Sequence, residues 1–502
     1  METCMKNRKK VLLVAFYNVK AQGVRYLEAA LEKGGYEVAT VFYKDFNSVR
    51  PKPTTEAELQ LLCRRIEEVD PVMIGLSVMS SMYLDTVNAV FEKIKERFDI
   101  PVVCGGAFAS MFPEYFLDKG ADFVIRADGE RAMLRLADSV VNGTDASDIP
   151  SLAMRTPDGN RINDISDIAN DLDEYGAPVI NSKNSCFIEN DNISYGDPQL
   201  NTLSYETVAS RGCPFNCSYC CCSNLRKLLP KGCSPVRYRS VEAVISELEE
   251  AKKQCKKLVF VHFYDEVFPR KQEWVDEFCR EYKKRIALPF TIWTHPGMVD
   301  KETLKKLVSV GLAEVIMGIQ SGSPYIRKEV FHRNETQEHI VEATKAISEA
   351  GVFWASYDFM LRHPFEKTEH LWETYELVKR LHGRYELQLH GLNFLPGTDI
   401  VPKAIEAGYF TEDEMNAVMY APMEEQFSAY WSRENSEESR LLFELIYLLQ
   451  YKDTRRLAQK YESDIMKNSA KIDAAYKKAK SRERTRYLYK KARIVLMRIF
   501  GK

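Results

Sequence analysis

Strand and helix signals alternate through two long blocks of this chain, residues 10–140 and 206–394, and this alternation restricts the fold more than any other feature. In the first block Lys10–Phe16 (KVLLVAF) has the length and β-branching of a buried strand. Gly23–Lys33 reads as a helix and Tyr36–Phe42 as a strand. The pattern continues through Glu56–Val69, Pro71–Leu76, Tyr83–Arg97, Pro101–Cys104, Asp122–Ile125 and Glu130–Val141. Apolar strands spaced by helices predict a parallel, doubly wound α/β sheet whose ligands sit beyond the strands' carboxyl ends. The second block has predicted strands at Glu206–Ser210, Leu258–Phe263, Phe290–Trp293, Glu314–Ile319, Phe353–Phe359 and Glu386–Phe394. Eight such steps would close a TIM barrel; six predict a partial (β/α)6 barrel, with function at its carboxyl-end mouth.

The stretches around these blocks differ in character. Residues 143–200 are rich in Gly, Asp, Asn and Pro and weakly periodic, which predicts a linker holding short strands such as Leu152–Arg155. Residues 411–502 lose the alternation and read as helical, with Ser439–Leu449 packing on the barrel. The expected domains are therefore 1–142, a linker 143–200, a barrel 201–410 and a helical region 411–502. Lys478–Lys502 is basic with interleaved apolar residues, suited to a packed helix face, an anionic membrane surface or a protein contact. A net charge of −2 over 502 residues gives no global reason to expect nucleic acid. No apolar run reaches spanning length. No signal peptide is read, and 12 cysteines are too few for a disulfide scaffold, so a cytoplasmic compartment is expected.

Chemistry concentrates in Arg211-Gly-Cys-Pro-Phe-Asn-Cys-Ser-Tyr-Cys220, where Cys213, Cys217 and Cys220 are spaced C-x3-C-x2-C. Three thiolates on one tight loop can hold three corners of a cubic iron–sulfur cluster and leave one iron open to a small molecule. The alternative is a local zinc knot using Cys221, Cys222 or Cys233, although structural zinc usually takes two separated ligand pairs. Cys186 has no evident partner. The loop, with Tyr219 before its last cysteine, resembles the cluster motif of the radical S-adenosylmethionine (SAM) enzymes. The resemblance implies a 4Fe-4S cluster on the three cysteines. Its open iron chelates SAM, and one-electron cleavage gives a 5′-deoxyadenosyl radical.

The first block's strand ends carry Asn18-Val-Lys-Ala-Gln-Gly23, Ser77-Val-Met-Ser-Ser81, Gly105-Gly-Ala-Phe-Ala-Ser110 and Ala127-Asp-Gly-Glu130. Together these resemble the cobalamin-binding domain, a flavodoxin-like sheet with Asp-x-His-x-x-Gly, Ser-x-Leu and Gly-Gly signatures. Gly23, Ser77, Gly105 and Gly106 match, whereas Asn18 and Lys20 replace the aspartate and the histidine and Met79 replaces the leucine. A protonated lysine has no free lone pair, so this domain is expected to supply no lower axial histidine to cobalt.

Within the barrel, the resemblance assigns Asp265 first and Glu266 second to the SAM amino group. It assigns Gln320 and Ser321, in Gly318-Ile-Gln-Ser-Gly322, to the ribose and carboxylate, and Arg333, in Val330-Phe-His-Arg333, to a contact with the carboxylate or to stacking nearby. Arg362-His-Pro-Phe-Glu-Lys367 stands where Gly-x-Pro-Gly-Glu-Thr is usual. Pro364 and Glu366 are kept, but both glycines are lost, which predicts bulky side chains near the adenosine. Asn393-Phe-Leu-Pro-Gly-Thr398 matches a turn facing the adenine. His295, Tyr264 and Tyr357 are placed at the mouth by position. The expected function is cobalamin-dependent radical SAM chemistry, with methyl transfer to an unactivated carbon of a small molecule or peptide. Flavodoxin or ferredoxin would donate the electron. Rearrangement or oxidative cyclisation without methyl transfer is the alternative, and a non-catalytic cobalamin- or metal-sensing module is the third reading.

Overall fold

The computed structural model describes residues 9–47, 51–181, 183–426 and 436–500, with side chains to residue 496. The outermost ends of the first and last expected domains, residues 1–8 and 501–502, lie outside the described residues. The strands, in chain order, are β1 (Lys10–Phe16), β2 (Glu37–Tyr43), β3 (Met73–Ser77), β4 (Val102–Gly105), β5 (Phe123–Ile125), β6 (Leu152–Thr156), β7 (Gly159–Ile162), β8 (Cys186–Glu189), β9 (Asn192–Tyr195), β10 (Ser204–Thr207), β11 (Ser210–Arg211), β12 (Arg237–Tyr238), β13 (Phe260–Phe263), β14 (Phe290–Thr294), β15 (Leu312–Gln320), β16 (Trp354–Met360) and β17 (Tyr385–His390).

The first sheet has the order β7-β6-β5-β4-β3-β1-β2-β8-β9. Its middle, β5-β4-β3-β1-β2, is parallel throughout and is the doubly wound core. Strand order reverses between β1 and β3, where such sheets open a crevice beyond the strand ends. Val11, Leu12, Val14, Val41, Met73, Ile74 and Val102 are fully buried because helices cover both faces.

The expected linker is corrected in part: the short strand read at Leu152–Arg155 is β6, but the segment belongs to the first sheet. Residues 143–200 carry four strands that lengthen this sheet at both edges: β6 and β7 beside β5, β8 and β9 beside β2. Cys186 is a buried strand residue of β8. Every residue of β7 is exposed, as is most of β9, so these strands lack the apolar repeat that announces a buried one.

The second sheet is the six-stranded β10-β13-β14-β15-β16-β17, parallel throughout and left open between β10 and β17. Its outward residues Val261, Phe263, Ile292, Val315, Met317, Tyr357 and Phe359 form one apolar core with the surrounding helices and with Glu437–Leu448. Open edges present unpaired backbone groups, and both are capped by glutamine. Gln22 Nε2 donates to the carbonyl of Glu206 on β10. Gln450 Oε1 accepts the amide of Leu387 on β17 at 3.1 Å.

The last helix, Glu483–Phe500, lies across the amino-terminal end of this barrel. Ile494 packs with Phe260 and Ala313, and Lys490 pairs with Glu314 and sits over the Trp354 ring. Arg486 lies against the Tyr451 ring, and Arg482 pairs with Asp453. Several of the tail's basic residues thus serve a packed face, while Tyr487, Leu488 and Tyr489 stay exposed. No helix among the described residues is long and apolar enough to cross a membrane.

Candidate functional site

The cysteine loop leaves the barrel after β10 and is pinched at its base by the β11–β12 ladder, Ser210 opposite Tyr238 and Arg211 opposite Arg237. Gly212 makes the pinch possible. It sits at φ +96, and a Cβ there would fall 2.1 Å from the carbonyl oxygen of Pro235. Asp265 secures the same root from β13. One of its oxygens accepts Ser210 Oγ at 2.5 Å, and both accept the Ala209 amide at 3.1 Å. Burial pushes its carboxyl up to about 6 against those hydrogen bonds. The first choice for the SAM amino contact is therefore already committed to shaping the loop, and Glu266, which is exposed, is the acid left at the mouth.

The three cysteines are half-buried and lie within electrostatic reach of one another. Burial pushes the Cys213 thiol up to about 11, and it raises Cys217 against the opposing guanidinium of Arg333. Ligation would deprotonate these thiols and release their protons. Among the described residues no three His, Cys, Asp or Glu side chains are gathered closely enough to hold a single metal ion. The donor set fits a cluster, in which each thiolate holds its own iron.

The loop backbone is fixed from several sides. Ser218 Oγ donates to the Val330 carbonyl at 2.6 Å, and the Ser218 amide donates to Phe331. Arg226 Nη1 donates to the carbonyls of Cys213 and Phe215, each at 3.2 Å. The His295 ring stacks on Phe215 with centroids 3.8 Å apart.

Arg333 lies against the cysteine loop. Its buried guanidinium is turned onto the cysteine loop, with Nη1 3.2 Å from Tyr219 Oη and 3.9 Å from Cys217 Sγ. Its other nitrogens reach Glu335 Oε1 at 2.6 Å and the Gly318 carbonyl at 2.7 Å. Sequence reading missed Glu335; only its two-residue spacing from Arg333 pointed to it.

Gln320, at the end of β15, holds φ +73, a strained value for a residue with a side chain, of the kind that clusters at functional sites. Ser321 is buried, and its hydroxyl accepts the Ser323 amide. The loop after β16 keeps its bulky residues inward. His363 and Phe365 are buried, and Glu366 Oε2 accepts the Arg362 amide at 2.5 Å. Tyr357 is buried on the outer face of β16 and does not face the mouth, whereas Tyr264 is exposed beside Trp293.

The first sheet offers a different surface. Gly106 holds φ +101, and a Cβ there would lie 2.6 Å from the Val78 carbonyl oxygen, so the loops after β3 and β4 can cross only with glycine. A Cβ on Gly23 would meet nothing. Ser77 is half-buried and Met79 is 54% exposed, so apolar and hydroxyl groups stand open at the strand ends. Asn18 Oδ1 accepts the Lys20 amide and shapes its turn. The Lys20 amine is occupied by Glu206 Oε1 at 2.6 Å and Ser204 Oγ at 3.2 Å. These open strand ends would suit a corrin, with Lys20 turned away from them.

The two regions meet directly. Arg211, two residues before Cys213, pairs with Glu130 at 2.6 Å and Asp128 at 3.2 Å on the loop after β5. Arg237 reaches Asp128 at 2.6 Å, and the rings of Tyr26 and Tyr175 flank the Arg211 guanidinium. Burial opposes ionisation of Asp128, but the two guanidiniums outweigh it and hold the carboxyl below its ordinary range.

A doubly wound sheet joined to an open parallel barrel with a three-cysteine loop at its mouth defines a two-cofactor radical enzyme class. Residues 207–378 match the Radical SAM superfamily and residues 8–137 the B12 binding domain. The chain belongs to the radical SAM enzymes that carry a cobalamin-binding domain, and the cofactors of that family are a 4Fe-4S cluster, SAM and cobalamin. It is 25% identical over 325 residues to an uncharacterized methyltransferase of Pyrococcus horikoshii, covering 64% of this chain and 66% of that protein. It is 22% identical over 369 residues to the anaerobic magnesium-protoporphyrin IX monomethyl ester cyclase of Rubrivivax gelatinosus, covering 71% and 61%. The chain thus spans about two thirds or less of these relatives' lengths. The fold is shared with two solved proteins. One is the radical SAM methyltransferase TsrM of Kitasatospora setae with cobalamin and cluster bound (TM-score 0.61, 18% identity, 80% of this chain and 78% of that one). The other is the cobalamin-dependent radical SAM enzyme OxsB with aqua-cobalamin (TM-score 0.66, 13% identity, 98% and 84%).

Proposed function

We propose that this protein transfers a methyl group to an unactivated carbon of a small molecule or peptide. The observation that carries the proposal is the Arg211 junction, which ties the root of the cysteine loop to the mouth of the first sheet. Two reactive groups must share one substrate carbon, and such chemistry depends on holding them in fixed relation. The methyltransferase names of the Pyrococcus relative and of TsrM support the same reading.

When bound, the cluster with SAM supplies a carbon-centred radical and the corrin supplies the methyl group. The chain's own residues bind and orient. Cys213, Cys217 and Cys220 would hold the cluster. Glu266 and Gln320 would contact SAM. The loops of Gly23, Ser77, Gly105 and Gly106 would seat the corrin. Tyr264, exposed beside the Trp293 ring, would face the substrate.

A second reading, oxidative cyclisation without methyl transfer, has the cyclase relative in its favour. The test is anaerobic reconstitution with iron, sulfide, cobalamin and SAM, a flavodoxin or ferredoxin as electron donor, and product masses compared with 5′-deoxyadenosine formed. Methylated product supports transfer. Substrate consumed with 5′-deoxyadenosine released and no methyl gained refutes it in favour of the second reading.

A further inference from the structure

Three side chains from two segments, His295 after β14 and Arg333 with Glu335 after β15, make a closed circuit around the cysteine loop. Arg333 places Nη1 beside Cys217 Sγ and Tyr219 Oη, and its Nε donates to Glu335 Oε1 at 2.6 Å. The other oxygen of Glu335 lies 3.4 Å from His295 Nε2. His295 Nδ1 accepts the Gly297 amide at 3.1 Å, so a neutral ring must carry its proton on Nε2, facing Glu335. The same ring stacks on Phe215, which returns the circuit to the loop.

Arg333 and Glu335 are both buried, 6% and 7% exposed, so water screens their charges little. Reducing a cluster by one electron adds one negative charge, and a cation or N–H donor at a ligand sulfur favours that state. A carboxylate just behind the cation opposes it.

We propose that Arg333, held in place by Glu335 and His295, is a positioning residue that sets the reduction potential of the cluster through Cys217. Glu335 moderates the effect and fixes the guanidinium's direction. The reaction concerned is one-electron reduction of the cluster by an external flavodoxin- or ferredoxin-type donor, with no bond to the substrate made or broken. The inference rests on the reading that the loop carries a 4Fe-4S cluster.

The experiment is an EPR-monitored redox titration of the anaerobically reconstituted full chain without SAM, with iron and sulfide counted for each variant. Arg333→Gln removes the cation, and its midpoint is expected to move to more negative potential. Glu335→Gln keeps the shape and removes the anion, and its midpoint is expected to move the opposite way. Arg333→Lys should fall between wild type and Arg333→Gln. Opposite shifts from adjacent residues are not what a purely structural role produces. Midpoints that stay at the wild-type value, or that move in the same direction, overturn the proposal. If Arg333→Gln does not fold, Glu335→Gln decides alone, and an unmoved or more negative midpoint overturns it. A wild-type chain that assembles no four-iron cluster would instead refute the underlying reading of the loop.

Discussion

The two candidate cofactor regions are built in opposite ways. At the first sheet's mouth stand backbone, a hydroxyl and an apolar side chain: Gly23 and Met79 are exposed, Ser77 and Gly105 half-buried, and a Cβ on Gly23 would meet nothing. At the barrel mouth Asp265, His295, Arg333 and Glu335 are buried and bonded to one another or to the cysteine loop. A large preformed ring is seated by backbone approach and room. A small, charged inorganic group needs fixed charges around it, because a low-dielectric site magnifies each one. Lys20 and Arg211 show the boundary between the designs, since both join the two regions without being turned toward a ligand.

The largest effect that would sharpen this contrast is Cys213→Ala. Loss of one corner should abolish reconstituted iron–sulfur absorbance and SAM cleavage while leaving corrin binding intact, as measured by spectrophotometric titration with hydroxocobalamin. Retained SAM cleavage would break the assignment. Arg211→Met comes next. It leaves Asp128 and Glu130 buried without one cation, which should cost about 3–5 kcal/mol by denaturant unfolding, and it should weaken both cofactor sites together.

Gly106→Ala is local by contrast. Positive φ and the close Val78 carbonyl should cost about 1–3 kcal/mol and reduce corrin affinity, with cluster content unchanged.

Glu366 gives a pH-dependent effect. Complete burial pushes its carboxyl up to about 8 from an ordinary 4.5. Between those values the folded chain keeps a proton that the unfolded chain has released, so stability is full at lower pH and falls as pH rises through that window. Glu366→Gln retains an acceptor for the Arg362 amide and cannot titrate. It should flatten the fall by up to about 1.4 kcal/mol per pH unit, read from unfolding at about pH 6 and about pH 9.

The smallest effect is expected from Lys20→Met. Breaking its partly exposed pair with Glu206 should cost about 0.5–1 kcal/mol and leave the visible spectrum of bound corrin unchanged. A spectral change would mean that Lys20 does reach cobalt.

By itself the sequence determined the parallel core of the first sheet, the parallel second sheet and the cysteine loop. Buried strands and amphipathic helices write their periods locally, so β1 is read with the same ends that the structure gives it. The loop's chemistry is likewise carried by adjacent thiols. Tertiary structure alone decided the rest. The exposed strands β7 and β9 have no core face to impose a pattern, so within 143–200 they are not legible, whereas Leu152–Arg155 reads as a short strand. Asp265 was legible as an acid at a strand end, but its commitment to Ala209 and Ser210 spans more than fifty residues. The meeting of His295, Glu335 and Arg333 with Cys217 depends on three strand ends converging. No local period encodes such a contact, because it is fixed by the curvature of the sheet and not by the spacing of residues along it.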